Sequence, residues 1–126
     1  MIGRLAIAAC AGLIGCAQAP VAPTSLVELL GRPAERALLA GLRAYEDALY
    51  VEAERQFKQA VGQGLGSAPD RAAAHKYLAF IYCTSNRITE CEAEFRAARL
   101  ADPSFTLNKS EAGHPSWAQV YKRVRP

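Results

Sequence analysis

The chain has 126 residues, of which 51% are hydrophobic and 21% are charged. This length allows one small domain with a modest core. Lysine and arginine together number 15 against 12 aspartates and glutamates, a formal net charge of +3, and so balanced a charge argues against a nucleic-acid partner.

The N-terminal residues have the pattern of an export signal. Arg4 precedes an apolar run over residues 5–13, which is shorter than the ~20 residues needed to cross a bilayer. The run leads into Leu13-Ile14-Gly15-Cys16, which resembles the lipobox of bacterial lipoproteins. That resemblance implies cleavage just before Cys16 and acylation of its thiol. The alternative is an ordinary secretory signal with a small-residue site such as Ala17-Gln18-Ala19.

Lipidation of Cys16 would determine where the protein resides. One acyl chain binds a membrane only marginally, whereas two or three chains on one residue form an effectively permanent anchor. By analogy with enteric lipoproteins, Ala17 in place of aspartate favours the outer membrane over the inner. We therefore expect a signal peptide over residues 1–15, a lipidated tether over 16–24, and a helical repeat domain over 25–126 at the periplasmic face of a membrane.

Beyond the tether, the apolar residues recur at helical spacing and no segment alternates as a strand does. We predict a short helix over 25–31, followed by helices over 33–48, 51–63, 69–85 and 88–101. Ser67 with Asp70 is a typical N-terminal cap for the fourth helix. A last amphipathic helix with Pro115 in its first turn presents Trp117, Val120, Tyr121 and Val124 on one face. The predicted fold class is all-α.

An internal repeat relates the two central pairs of helices. The first set of apolar positions is Tyr50, Ala53, Phe57 and Ala60, and the second, at one constant interval, is Ile88, Cys91, Phe95 and Ala98. Two helical hairpins with matching faces explain this correspondence. The order small residue, three residues, phenylalanine, two residues, alanine resembles the second helix of a tetratricopeptide repeat. Gly41 matches the glycine of its first helix, whereas Ala44 and the 38-residue period (against 34) depart from the pattern.

The repeat resemblance implies a concave groove that binds a protein segment. By family analogy its lining residues are Glu35, Leu38, Leu42, Tyr45, Ala73, Lys76 and Phe80. Leu42, Tyr45 and Phe80 would form an apolar centre, with Glu35 and Lys76 at the rim. The alternative is that the capping segments cover this face, because two repeats are fewer than the three usually needed for a continuous core.

Cys83 and Cys91 flank the predicted turn between the fourth and fifth helices. The tilt of each side chain towards the N-terminus of its helix partly cancels their axial offset. A disulfide between them is feasible in an oxidising compartment. The alternative is two buried thiols, with Cys91 filling the usual alanine position.

No arrangement typical of catalysis or metal binding stands out. His75 and Cys83 are ~12 Å apart along one helix, too far for a nucleophile–base pair. A zinc site would need both cysteines and both histidines of this part of the chain, namely His75, Cys83, Cys91 and His114. Their spacing matches no short-range pair of zinc ligands. We therefore expect a binding protein without enzymatic activity, without metal, and without a cofactor other than the lipid on Cys16.

A narrower resemblance covers most of the chain after the signal. It is carried by His75-Lys-Tyr-Leu-Ala-Phe-Ile-Tyr-Cys83, by Cys91-x₃-Phe95-Arg96, and by Glu111-Ala-Gly-His-Pro-x-Trp117. These stretches are similar to the TssQ-type lipoproteins associated with bacterial type VI secretion systems. The resemblance implies a scaffold or adaptor whose partner is a protein of the secretion envelope complex, with no small-molecule substrate. The alternative is a pilotin-like lipoprotein that escorts an outer-membrane subunit.

Overall fold

A computed structural model describes residues 25–125, without the side chain of Leu29. This part of the chain is all-α and contains α1 (Leu26–Leu30), α2 (Pro33–Glu46), α3 (Tyr50–Gln63), α4 (Ala68–Thr84), α5 (Ile88–Ala101), α6 (Lys109–Ala112) and α7 (Ala118–Val124). The all-α prediction is confirmed, and the bounds of α5 are those predicted. The predicted signal peptide, the acylation of Cys16 and the tether over 16–24 lie outside the described residues.

The four longer helices form two antiparallel hairpins. Helix α2 packs against α3, α4 packs against α5, and α3 packs against α4 to join the hairpins. Helix α7 then covers α5, while α1 contacts α2 at the other end of the array. The C-terminal helix therefore caps the second hairpin, as predicted.

The repeated apolar positions meet at the centre of each hairpin. Ala53, Phe57 and Ala60 are fully buried in α3, and Cys91, Phe95 and Ala98 are fully buried in α5. Helices α2 and α3 approach most closely at Gly41, where a Cβ atom would lie 2.7 Å from Cδ1 of Phe57. Glycine is a poor helix former, and its presence inside α2 is explained by this close packing, which leaves no room for a side chain.

The repeat extends to the turns, which the apolar pattern alone did not indicate. Ala48 and Asn86, which occupy equivalent positions of the two repeats, both have a positive φ, of 59° and 61°. After α2, the N–H of Leu49 donates to the carbonyl of Ala44 at 2.8 Å, and that of Ala48 donates to Tyr45 at 3.1 Å. The same pair of bonds recurs after α4, from Arg87 to Tyr82 and from Asn86 to Cys83. Each first helix therefore ends in a Schellman motif.

The start of α4 is capped as predicted. Ser67 Oγ accepts a hydrogen bond from the N–H of Asp70 at 3.1 Å. The side chain of Arg71 donates to the carbonyls of Leu65 and Gly66, so that the connection between α3 and α4 is tied to the first turn of α4.

The C-terminal segment differs from its prediction in two ways. A short helix, α6, begins at a capping box in which Asn108 and Glu111 bond each other's backbone N–H groups. The last helix begins at Ala118 rather than near Pro115. Trp117 has non-helical backbone angles, with φ −132° and ψ −6°, and its indole Nε1 donates to the carbonyl of Glu111 at 2.7 Å.

Candidate functional site

Aromatic rings form a continuous series across the first helices of the two hairpins. The centroid of the Tyr45 ring, on α2, lies 5.4 Å from that of Tyr50 and 4.9 Å from that of Tyr77 on α4. Tyr77 in turn lies 5.8 Å from Phe80. Edge-to-face contacts of this kind are favourable beyond the apolar area they bury, so the series joins the two hairpins along this face.

The core holds this series in place from beneath. The ring of the fully buried Phe57 stacks on Tyr77, with centroids 5.3 Å apart. Nζ of Lys76 lies over the ring of Tyr77, 4.8 Å from its centroid, and 5.7 Å from the centroid of Phe80. Tyr77 therefore contacts both a buried apolar ring and a cation placed over its ring.

The C-terminal segment covers the Phe80 end of the series. The rings of Phe80 and Trp117 stack with centroids 4.0 Å apart, and His114 stacks on Trp117 at 3.7 Å. Glu111 Oε1 accepts a hydrogen bond from Lys76 Nζ at 2.8 Å. As a result Phe80 is 3% exposed, and the prediction that it lies at the centre of an open groove is wrong.

Two more of the predicted groove residues are buried. Glu35 is 7% exposed, and its Oε1 accepts a hydrogen bond from the N–H of Gly66 at 3.2 Å. Leu38 belongs to the hydrophobic core. Glu35 therefore fastens the connection between α3 and α4 to the start of α2, and it is not a rim residue. No local pattern could indicate this contact, because Gly66 belongs to a distant part of the sequence.

Ala73 and Lys76 of the predicted groove are partly buried. Four further residues that remain at least partly accessible on this side form what we call the tyrosine surface: Leu42, Tyr45, Tyr50 and Tyr77. Leu42, Tyr45 and Tyr77 are partly buried against the core, whereas Tyr50 is 49% exposed. Burial raises the pKa of Tyr45, and the neighbouring Tyr50, Tyr77 and Glu111 raise it further. The phenol therefore remains neutral at physiological pH and is able to donate a hydrogen bond.

A cleft of about 250 Å³ adjoins the tyrosine surface between α3 and α4. Tyr50 and Val51 form one wall, and Ile81 and Thr84 form the other. The cleft has room for an apolar side chain of a bound segment beside the exposed ring of Tyr50.

An ion-pair network at the end of the cleft connects the two hairpins. Arg87, in the turn after α4, donates to both carboxylate oxygens of Glu54 on α3, at 3.1 Å and 2.6 Å. Lys58 Nζ lies 2.7 Å from the same carboxylate, and Arg87 lies over the ring of Tyr82 at 4.3 Å. The hydrogen bond from Arg87, followed by that from Lys58, lowers the pKa of Glu54 to about 2. The sequence did not indicate this network, because Glu54 and Arg87 belong to different hairpins.

The predicted cysteine pair lies at the end of the second hairpin. The Cα atoms of Cys83 and Cys91 are 5.2 Å apart and their sulfur atoms are 2.01 Å apart, at disulfide distance. Both side chains are buried. The equivalent positions in the first hairpin are Tyr45 and Ala53, so that one hairpin has a covalent contact where the other contributes a ring to the tyrosine surface.

The histidines lie in structural contacts. His75 Nδ1 on α4 lies 2.5 Å from Glu94 Oε2 on α5. His114 accepts a hydrogen bond at Nδ1 from the N–H of Ser116, and its carbonyl accepts from the N–H of Ala118, the first residue of α7. Residues 25–125 contain no group of three or more His, Cys, Asp or Glu side chains placed to hold a metal ion. Within the same range, no helix is long and apolar enough to cross a membrane.

The chain matches no protein-family model, no curated protein and no solved structure.

Proposed function

We propose that this chain is a lipid-anchored periplasmic adaptor, whose two tetratricopeptide-like hairpins bind a protein of a type VI secretion envelope complex. The tyrosine surface is the observation that carries the binding role. It is rigidly supported by the core through Phe57, yet Tyr50 at its end remains half exposed. Tyrosine is enriched among the residues that contribute most to protein–protein binding, because it buries a large area with few rotamers to fix.

The occupant we propose is a helix or extended segment with apolar side chains. Such a segment would place one side chain against Leu42 and Tyr45 and another in the cleft beside Tyr50. Lys76 and Glu111, which pair with each other at 2.8 Å, border the surface where the C-terminal segment begins to cover it. An apolar centre with a polar border is typical of such binding sites.

The assignment to type VI secretion is supported by the sequence resemblance alone. That resemblance includes Trp117, whose ring stacks on Phe80 and so packs the C-terminal segment against α4. The tetratricopeptide assignment is supported by the close approach of Gly41 to Phe57 and by the matching geometry of the two turns.

The anchor is proposed from Leu13-Ile14-Gly15-Cys16. Acylation of Cys16 would hold the adaptor at the periplasmic face of a membrane. Ala17 after this cysteine favours the outer membrane over the inner one. Mass spectrometry of the protein isolated from its native envelope tests this step. A chain that begins at Cys16 and carries two or three acyl groups supports the anchor, and an uncleaved or unacylated chain contradicts it.

Crosslinking in the native cell envelope tests the partner. A photoreactive benzoyl-phenylalanine in place of Tyr50 is expected to capture subunits of the secretion complex, identified by mass spectrometry. Leu42→Glu in the same chain is expected to abolish the capture by placing a charge in the apolar centre. Leu100→Glu is the matched control, since Leu100 is exposed on α5, outside the tyrosine surface. Capture of secretin or pilus subunits instead supports the pilotin-like alternative, and capture that Leu42→Glu leaves unchanged contradicts the proposed surface.

A further inference from the structure

Helix α1 exposes an apolar face that the rest of the described domain does not cover. Leu26 and Val27 are 67% and 81% exposed, and Leu30 is 37% exposed. At 3.6 residues per turn, these three side chains fall within an arc of about 100°, outside which Glu28 lies. Three large apolar residues on one exposed face of a short helix need an explanation in terms of what covers them.

Three arginines of the neighbouring segment lie beside the end of α1 and along α2. Arg32, Arg36 and Arg43 are all exposed, and their helical spacing places them on one side of the helix. Arg36 Nη1 donates to the carbonyls of Leu30 and Gly31, at 3.2 Å and 3.1 Å, so α1 ends on the same side. Acidic residues offset these cations, because Arg32 Nη1 lies 3.9 Å from Glu35 Oε1 and the spacing of Glu46 places it on the same side of α2.

The position of α1 in the chain points to what covers it. Nine peptide units separate Cys16 from Ser25, so an acylated Cys16 would keep the start of α1 within ~30 Å of the anchored residue. Tethering of this length raises the effective concentration of a surface at its target to the millimolar range. Even a weak affinity of α1 for lipid would therefore be enough to keep α1 bound to the membrane for much of the time.

We propose that α1 docks on the surface of a phospholipid bilayer, so that the anchor and the domain bind the same membrane. Leu26, Val27 and Leu30 enter the interface between headgroups and acyl chains. This inference rests on the proposed lipid anchor. Tyr50 lies beyond the opposite end of α2, a helix of 14 residues or ~21 Å, so that docking through α1 alone leaves the tyrosine surface free for a partner.

Two matched tryptophan variants of the acylated protein test the docking. Val27→Trp reports on α1, and Val51→Trp reports on an equally exposed valine (88%) beyond the other end of α2. Each protein is reconstituted into vesicles of phosphatidylethanolamine and phosphatidylglycerol with brominated acyl chains, which quench tryptophan fluorescence only at the membrane. We expect about twofold quenching, with a blue shift, for Val27→Trp and none beyond that of the native Trp117 for Val51→Trp.

The outcomes separate this inference from the proposed function. Protein that floats with the vesicles but shows equal emission for Val27→Trp and Val51→Trp overturns the docking of α1 and leaves the anchor standing. Protein that does not float overturns the anchor, and the inference with it.

Discussion

Phe80 and Trp117 stack face to face although they lie far apart in the sequence, with ring centroids 4.0 Å apart. This contact attaches the C-terminal segment to the second hairpin and closes half of the face that the repeat resemblance implied to be a groove. The adaptor that we propose therefore binds its partner at the tyrosine surface, where Tyr45 and Tyr50 are still accessible.

Trp117→Ala is expected to lower the free energy of unfolding by ~3–5 kcal/mol, because it removes a buried aromatic ring and leaves a cavity. The loss should also release the segment over Phe80. Urea denaturation followed by circular dichroism measures the first effect, and the binding of a hydrophobic dye measures the second. Trp117→Phe, which keeps the stacking but loses the bond to the Glu111 carbonyl, should cost less. Equal losses for the two variants would contradict a role for stacking.

Gly41→Ala is expected to destabilise the protein by ~1–3 kcal/mol through overpacking, although alanine is the better helix former. The added Cβ would lie 2.7 Å from the ring of Phe57, which is itself fully buried and has no space to move. Gly62→Ala is the matched control in α3, since its Cβ would meet nothing within 4 Å. That variant should gain ~0.5–1 kcal/mol from helix propensity. Thermal unfolding measures the change in stability of both variants. A gain in stability for Gly41→Ala would refute the close approach of the helices.

Ala48→Gly is expected to stabilise the protein by ~1 kcal/mol, because glycine adopts a positive φ without the steric cost that alanine incurs. Asn86, the equivalent residue of the second turn, is better suited to this conformation, so Asn86→Ala should destabilise. Ala93→Gly, at an exposed position inside α5, is the control, for which a loss of ~1 kcal/mol is expected. Chemical denaturation compares all three, and a loss for Ala48→Gly would be inconsistent with the Schellman motif after α2.

The ion pair of Glu54 with Arg87 makes stability depend on pH. The pKa of Glu54 is lowered from its ordinary value of 4.5 to about 2 in the folded protein. The stabilisation is therefore fully present above pH ~4.5 and is lost as the pH falls towards 2. We expect a contribution of ~1 kcal/mol, since Arg87 is partly exposed and solvent screens the pair.

A double-mutant cycle isolates this contribution from the other carboxylates. Glu54→Gln and Arg87→Gln should each reduce the loss of stability between neutral pH and pH 3, and the double variant should lose no more than either alone. Urea denaturation at both pH values measures the coupling. Additive effects of the two substitutions would show that the pair does not act as a unit.

Cys83 and Cys91 are expected to resist thiol-reactive reagents in protein isolated from the periplasm without reductant. Reduction should then lower the free energy of unfolding, by less than ~3 kcal/mol because the closed loop is short. The double variant Cys83→Ser/Cys91→Ser should be insensitive to reductant and serves as the control. Rapid labelling of both cysteines in folded, unreduced protein would exclude the disulfide.

The helices of the two hairpins could be predicted from local sequence pattern alone. Residues three and four positions apart share one face of a helix, and this relation does not depend on the rest of the chain. Helical spacing and local signals at the helix ends therefore indicated the correct number, order and bounds of α2 to α5, to within two residues. The cap at Ser67 was predicted for the same reason, since its partner Asp70 is three residues away.

The candidate site was predicted only in part. Leu42 and Tyr45 remain partly accessible on the predicted face, whereas Glu35, Leu38 and Phe80 are buried. Glu35 bonds the backbone of a loop beyond α3, and Phe80 meets Trp117. The contribution of Tyr50 and Tyr77 to this surface was missed as well, because their positions in the sequence do not reveal that both rings converge on Tyr45.

The order of residues in this chain was enough to establish an all-α domain, its internal repeat, and two cysteines on either side of one turn. Each of these depends on spacing along the helix, which a single segment specifies by itself. Which face of the repeat stays open was settled only in three dimensions, when the segment from Leu107 to Val124 folded over Phe80 and Phe95. The exposure of a side chain depends on every segment that can reach it, and for Phe80 that segment lies beyond the repeat.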